Sequence, residues 1–404
     1  MRKINTGEFR RATRSTPREI NRQIVLNLVR EHQPLSRADL ARRMHVGRGM
    51  ISQLVDGLIG EGVVYEGAVA NAPRGRKPTL LHVRSRDLFG VAVDVRFSRT
   101  HVMLGDLDGR QIAADSFDTL LSPDALVEEL AVRVRRLLES GGVRECEGIG
   151  MVVPGMIHRR TGLILNSPQL GWRNVAIREA LSQATGLRVF IENAPIACAL
   201  AHMWMPPFQR GADNFVYVTV GDGLGVGVVV DGDVFRGHGD TAGEFGHIPL
   251  SLEGPRCMCG LRGCWEAYTS NVATMARYFG LDPSVPEAVE TLRASGFTME
   301  DLITRFRQGD EQARAALLES AHYLGLGMAG IVTALSPARI VVGGEITAAW
   351  DVVGGVVEER IRERTLTAAA AATPVTAAPG GAGQRLRGAT ALLVARRFAA
   401  PKVA

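Results

Sequence analysis

Three cysteines fall within eight residues, Cys257, Cys259 and Cys264, and His247 ends the stretch Gly243-Glu244-Phe245-Gly246-His247 ten residues upstream of the first. Three thiolates and one imidazole are the ligand set of a closed tetrahedral Zn2+ site. With four protein ligands no position is left for water, so such a metal pins a loop rather than performing chemistry. So compact a cluster of bare thiols is reactive unless something holds it. A disulfide framework is disfavoured by an odd count of five cysteines and by the lack of an amino-terminal apolar stretch for export. Cys146 and Cys198 lie in apolar surroundings and are expected in the core.

The elements that must position these residues belong to a long chain. At 404 residues it exceeds one ordinary core, so two or three domains are expected. An apolar fraction of 46% excludes disorder. No uninterrupted apolar run approaches the ~20 residues of a membrane span, and a soluble, cytoplasmic protein is expected. Charge is uneven: residues 1–86 carry 17 Lys+Arg against 7 Asp+Glu, while the remainder carries 30 against 35. A basic head on an acidic body implies that one end meets a polyanion. Arginine richness alone is discounted, since Lys3, Lys77 and Lys402 are the only lysines and such bias can reflect genome composition. The asymmetry between the ends has no such explanation.

In the head, Thr16-Pro17-Arg18-Glu19 is a capping box with proline at the first helical position. Ile20, Ile24, Val25, Leu28 and Val29 follow at helical spacing, which predicts a helix over about 17–31. Ser36 with Asp39 caps a second short helix, with Leu35 and Leu40 as its hydrophobic staple. After a turn at Met44 to Val46, a third helix over about 47–60 turns Ile51, Leu54, Val55, Leu58 and Ile59 inward. Arg48, Gly49, Ser52 and Gln53 remain on its outer face near the start. Short helix, tight turn and a helix with small, hydrogen-bonding residues at its exposed beginning match a recognition helix in a major groove. Arg48 and Gln53 suit base edges, and Ser52 suits a phosphate.

Val63-Val64-Tyr65 and Leu80-Leu81-His82-Val83 then flank the turn-rich Pro73-Arg74-Gly75-Arg76-Lys77-Pro78, a β-hairpin with a basic tip. Arg74, Arg76 and Lys77 at such a tip suit phosphates or a minor groove. The whole reads as a winged helix-turn-helix domain over residues 16–86, preceded by a basic arm, 1–15, expected to be unstructured without DNA. Its implied partner is a double-stranded DNA operator.

From residue 87 onward the pattern changes. Leu88 to Val95 is an apolar strand whose hairpin partner is His101 to Gly109, and Asn214 to Val220 repeats the pattern with Gly221-Asp222-Gly223-Leu224-Gly225-Val226-Gly227 and Val228 to Gly232. Two glycine-punctuated hairpins about 125 residues apart, each followed by helical segments, imply two related α/β lobes. Between and after them stand Gly148 to Gly155, Asn166 to Trp172, Val189 to Ala194 and Val341-Val342-Gly343-Gly344-Glu345. Met299 to Thr333 and Leu386 to Phe398 read as lobe-packing helices, and the alanine-rich Thr367 to Gly383 as a loop or strand connection.

The order of these segments, with Gly-Glu-Phe-Gly-His, Cys-Met-Cys-Gly and Gly-Cys-Trp-Glu, resembles the ROK family (repressors, open reading frames, kinases) over nearly the whole chain. With the winged helix ahead of it, the chain is similar to the sugar-responsive branch that includes the N-acetylglucosamine and xylose repressors. The resemblance implies a mixed α/β, actin/hexokinase-like effector body over 87–404, with lobes of about 87–192 and 193–404 and a ligand cleft between them. It further implies that Asn193, Glu244, His247 and Glu266 contact the hydroxyls of a sugar effector. Amide and carboxylate groups match a ring of donors and acceptors in pairs. His247 would serve both metal and sugar, one ring nitrogen each.

Kinases of this family carry Asp-x-Gly-Gly-Thr on the first strand, where this chain has Asp94-Val95-Arg96-Phe97-Ser98. The position of their catalytic base is Ala194, and Asp222 stands in the second glycine loop where threonine is usual. Loss of the base alone costs on the order of 10²-fold or more in rate, so no catalytic residues and no enzyme activity are expected. Ala194 also removes a usual sugar contact, implying an unusual sugar, weak binding or none. The expected protein is a repressor, a homodimer or dimer of dimers. The competing readings are a working sugar kinase with a regulatory head, and an orphan regulator controlled by a protein partner.

Overall fold

The structure, a computed structural model, describes residues 16–69, 78–207, 213–379 and 383–399. The head comprises α1 (Thr16–His32), β1 (Leu35–Ser36), α2 (Arg37–Met44), α3 (Arg48–Gly60), β2 (Val64–Val69) and β3 (Thr79–Val83). The β2–β3 hairpin is antiparallel, and β1 pairs with the other edge of β3. Ser36 caps α2 in a full capping box: its hydroxyl accepts from the Asp39 amide, and the Asp39 carboxylate accepts from the Ser36 amide at 2.9 Å. Leu35 and Leu40 are buried as a staple requires. On α3, Ile51, Leu54, Val55 and Leu58 are buried and Ile59 is half-buried.

Helix α1 departs from the reading of its spacing. Ile24, expected inside, is 41% exposed, while Gln23, Leu26 and Arg30 are buried with Val25 and Val29. The helix is covered on two sides, by α3 and by the last helix of the chain. A single apolar stripe therefore does not mark its packing.

In the first lobe, β4 (Phe89–Val95), β5 (Arg99–Asp106) and β6 (Gln111–Asp118) form an antiparallel meander, extended in parallel beyond β4 by β7 (Cys146–Val152) and then β11 (Val189–Glu192). The excursion from β7 to β11 makes a small antiparallel sheet of β8 (Met156–His158), β9 (Leu163–Ser167) and β10 (Trp172–Val175). Strand alternation sorts the two faces. Val91, Val93 and Val95 pack under α4 (Pro123–Ser140) and α5 (Ile177–Thr185), whereas Ala92 and Met103 face the other side.

The second lobe repeats this topology. The meander β12 (Phe215–Val220), β13 (Leu224–Val230) and β14 (Asp233–Phe235) is extended beyond β12 by parallel β15 (Ile340–Gly344) and β16 (Val375–Ala377). Its outer face is covered by α8 (Asn271–Phe279), α10 (Met299–Arg307), α11 (Glu311–Leu335) and α12 (Trp350–Arg364), with α7 (Glu266–Thr269), α9 (Pro286–Ala294) and α13 (Ala368–Ala371) between them. α11 is long and apolar enough to cross a membrane, but it is the core helix of this lobe. The run from Met299 to Thr333 is two helices: Gly309, at φ 90°, leaves α10, and Asp310 caps α11 by accepting from the amides of Gln312 and Ala313. The alanine-rich run from Thr367, expected to be a loop or strand connection, contains the edge strand β16 and also the short helix α13.

Two helices run between the sheets, α6 (Ala194–Trp204) and α14 (Gln384–Phe398). They meet Ala92, Met103 and Val152 of the first sheet through small residues, Ala194, Ala197 and Ala389. A Cβ on Gly150 would lie 1.9 Å from the Ala389 carbonyl oxygen, so only glycine lets α14 lie this close to β7. The far ends of both helices hold the head. Ala201, Met205, Leu393, Val394 and Phe398 belong to the same apolar cluster as the head's Val25, Leu26 and Val29.

Candidate functional site

In the head, Arg48 opens α3 with Gly47 as a cap that offers no side chain. Arg48, Gly49 and Gln53 are exposed and Ser52 is half-buried, so the four residues expected to meet DNA share the start of one helix. The tip residues Arg74, Arg76 and Lys77 and the arm 1–15 lie outside the described residues. Met50, 43% exposed on the same turn, was not singled out from the sequence. Nor was Arg37, whose guanidinium pairs with Asp56 at 2.7 Å and Glu66 at 3.0 Å and donates to the Ser52 carbonyl at 3.3 Å. It ties α2, α3 and the hairpin together and so orients the exposed face.

In the body, a cleft of about 210 Å³ opens between the lobes. That is small beside the several hundred Å³ of drug-sized pockets and suits a compact polar ligand. Asn193, Glu244, His247 and Glu266 all line it, together with Ala194. Asn193 caps α6, its Oδ1 accepting from the Ile196 amide at 3.2 Å, which leaves Nδ2 as its side-chain donor. Its own amide donates to Glu192 Oε1 at 3.0 Å, and Glu192 is held by Arg236 at 2.5 Å. Glu266 Oε2 accepts from the Leu224 amide at 2.8 Å. Burial raises the pKa of Glu244, and nearby Glu266 pushes the same way against His247. Asn166 and Gln169, on and just after β9, also line the cleft. They lay within a segment read from the sequence but were not marked as contacts.

The four expected metal ligands converge. Their donor atoms all lie within 4.8 Å of one another. Cys259 Sγ and Cys264 Sγ are 3.7 Å apart, and Cys257 Sγ is 3.8 Å from His247 Nδ1. A tetrahedron with ~2.3 Å Zn–S bonds has edges of roughly 3.7–3.8 Å, and these two distances match it. His247 Nε2 points the other way, 3.7 Å from Glu244 Oε2. Burial pushes Cys264 up to about 11 and Cys257 further still, so a bound cation is what would hold them as thiolates. Cys198 is buried, whereas Cys146 is only half-buried.

At the rear of the cleft the strand end read as a lost phosphate loop has a defined structure. Asp94, fully buried, accepts from Arg96 Nε at 2.8 Å and from Arg385 Nε at 2.6 Å. Arg96 then crosses to Glu345 of the second lobe at 3.2 Å, and Asn271 Nδ2 donates to the other oxygen of Glu345 at 2.9 Å.

Two lobes of one topology around a helix-floored cleft, with a cluster of three cysteines and a histidine at its side, define an actin/hexokinase-like body joined to a winged-helix head. The chain belongs to the ROK family, whose profile matches residues 91–396. It is 28% identical over 362 residues to a xylose repressor of Caldicellulosiruptor bescii, spanning 87% of this chain and 89% of that one. Its fold matches that of a ROK family transcriptional regulator, a homologue of the E. coli MLC protein, with a TM-score of 0.76 over 94% of this chain and 96% of that one, at 24% identity. A ROK glucokinase of Streptomyces griseus, solved with glucose and AMPPNP, matches 75% of this chain and 98% of its own, with a TM-score of 0.66 and 26% identity. The kinase likeness covers less of the chain than the regulator likeness.

Proposed function

We propose that the protein is a sequence-specific transcriptional repressor whose ROK body senses a sugar and carries no kinase activity. The observation that carries this reading is the joint between head and cleft. At one end α6 and α14 begin at the cleft, with Asn193, Ala194, Gln384 and Arg385 in its lining. At the other end they hold α1: Gln23 Nε2 donates to the carbonyls of Arg397 and Ala399 at 3.2 and 3.0 Å, and Arg30 donates to the Trp204 carbonyl while stacking 4.5 Å over Phe398. A sugar that alters the lobe angle thus reaches the head through two packed helices.

In this reading Arg48 and Gln53 touch base edges, while Ser52, Arg74, Arg76 and Lys77 touch the DNA backbone. Asn193, Glu244, His247 and Glu266 hold the sugar. Zinc bound by His247, Cys257, Cys259 and Cys264 fixes the histidine that reads it. The protein acts in the cytoplasm as a homodimer or dimer of dimers on a two-fold operator, which requires two recognition helices ~34 Å apart. A modest change of head spacing spoils that fit, and a coupling of ~1–3 kcal/mol alters operator affinity about 5- to 150-fold.

The test is operator binding titrated with a panel of sugars, beginning with D-xylose. An unchanged dissociation constant across the panel refutes effector control. The kinase reading keeps support from the glucokinase likeness, but Ala194 offers no base for an attacking hydroxyl. Turnover of ATP with magnesium and any hexose would establish it instead.

A further inference from the structure

The rear of the cleft is walled by glycine backbone, Gly221, Gly223, Gly343 and Gly344, yet the side chains that fill it are charged. A Cβ on Gly344 would lie 1.7 Å from the Val220 carbonyl oxygen, so the paired ends of β12 and β15 meet backbone to backbone and leave the opening beyond them to be closed by something else. That something is Arg96. It leaves the first lobe at the end of β4 and reaches Glu345 in the second, its side chain 20% exposed against 11% for Glu345. Its charge is felt by three carboxylates from three separate segments: Asp94 near the end of β4, Glu345 just after β15 and Asp222 in the turn between β12 and β13. Each end is fixed in turn: Asp94 by Arg385, and Glu345 by Asn271.

We propose that Arg96 is a specificity-determining clasp: its guanidinium stands between the carboxylates of both lobes where a cation–phosphate ligand would have to sit, so the cleft admits uncharged sugars and excludes phosphorylated ones. The electrostatics favour this assignment. Asp94, Glu345 and Asp222 outnumber Arg96 and Arg385, so the rear of the cleft carries a net negative charge that repels phosphate. Both guanidiniums are already engaged with carboxylates, and a phosphate would have to displace those pairs to use them. A divalent cation, which normally accompanies nucleotide phosphates, meets an arginine in its place. The clasp also lets the lobes close without nucleotide, because the cross-cleft ion pair is supplied by the chain itself.

The choice of sugar class rests on the sugar-sensing reading above, but the exclusion of cations and nucleotides does not. Removing the guanidinium should convert an occupied site into three carboxylates facing one gap. In the full-length protein, Mn2+ binding followed by electron paramagnetic resonance is therefore expected to tighten at least about tenfold in Arg96→Gly over the wild type. Mg·ADP, followed by calorimetry, should bind the variant and not the wild type. Arg96→Lys keeps the cation and should restore exclusion, which separates the role of charge from that of a merely intact loop. Equal Mn2+ binding in wild type and Arg96→Gly, or Mg·ADP binding to the wild type, overturns the clasp. Thermal shifts with D-xylose, D-glucose and D-glucose 6-phosphate test the sugar arm, and a larger shift with the phosphate than with its parent overturns that arm. Should no sugar bind, the sugar-sensing reading fails while the Mn2+ and nucleotide results still decide the clasp.

Discussion

The side-chain amide of Asn27, in the first helix of the head, donates at 2.9 Å to the carbonyl of Phe398, the last residue of the final helix, 371 positions away in the chain. With the Gln23 amide on the carbonyls of Arg397 and Ala399, it satisfies the unpaired carbonyls that every helix end leaves. These neutral bonds contribute about 0.5–1.5 kcal/mol each. The double variant Gln23→Ala/Asn27→Ala should therefore keep both folded units and bind operator near wild-type strength, yet lose most of its response to sugar. Operator affinity measured with and without D-xylose checks this. A full response in the double variant would show that the head is controlled by another route.

Arg48 is exposed at the first position of α3, the helix proposed to enter a groove. A bidentate contact to a guanine is worth ~1–3 kcal/mol of discrimination. Arg48→Ala should thus reduce the ratio of operator to random-DNA affinity by roughly 5- to 150-fold, while Lys77→Ala weakens both alike and flattens the salt dependence. Competition binding at two salt concentrations separates them. Equal losses on both DNAs would remove Arg48 from base reading.

Much of this was legible because local patterns carried it. The capping box at Ser36 and Asp39, the apolar runs of β4 and β12 and the clustering of His247 with the three cysteines are set by neighbours in sequence, and each lies where the sequence placed it. What spacing could not reveal depends on chain segments far apart. Ile24 has the phase of a core residue, but Gln23 and Arg30 are buried instead, since α14 supplies polar carbonyls and a ring to that side. Arg96 was read as a missing glycine. Its partner Glu345 stands 249 residues away, so only folding reveals that the substitution adds an ion pair. The break at Gly309-Asp310 was visible in the sequence as turn chemistry, but the apolar periodicity on either side masked it.

Cys259 is the half-buried member of a knuckle whose other thiols are buried. Cys259→Ser replaces a thiolate by a hydroxyl that ligates zinc poorly. Zinc content measured by atomic emission should fall from about one ion per chain to well below it. The destabilisation should be several kcal/mol at most, less than the ~10–16 kcal/mol of a complete structural site, because three ligands remain. Amide exchange in residues 244–264 should rise, and sugar binding should weaken as His247 loses its fixed orientation. A purified wild type free of zinc would sink the assignment.

His202, on α6, packs its ring 4.9 Å from that of Phe215, and its Nε2 is buried without a protein partner. Burial, with Arg339 adding to it, lowers its pKa from 6.5 to about 4. The fold therefore holds this ring neutral, while the unfolded chain takes up a proton as pH drops below about 6.5. Its stabilising contribution is complete above that value, declines steadily toward pH 4 and does not change further below it. The full loss is on the order of 3 kcal/mol at most, reduced by solvent screening because the ring is only partly buried. Carboxylates titrate in the same window, so the difference between wild type and His202→Leu isolates the histidine. As pH falls from 6.5 to 4 the wild-type urea midpoint should drop further than that of the variant, so the difference between them shifts in the variant's favour. Parallel curves across that range would mean the ring accepts a proton without cost, and α6 would then have to open to water at the end that holds Arg30 of the head.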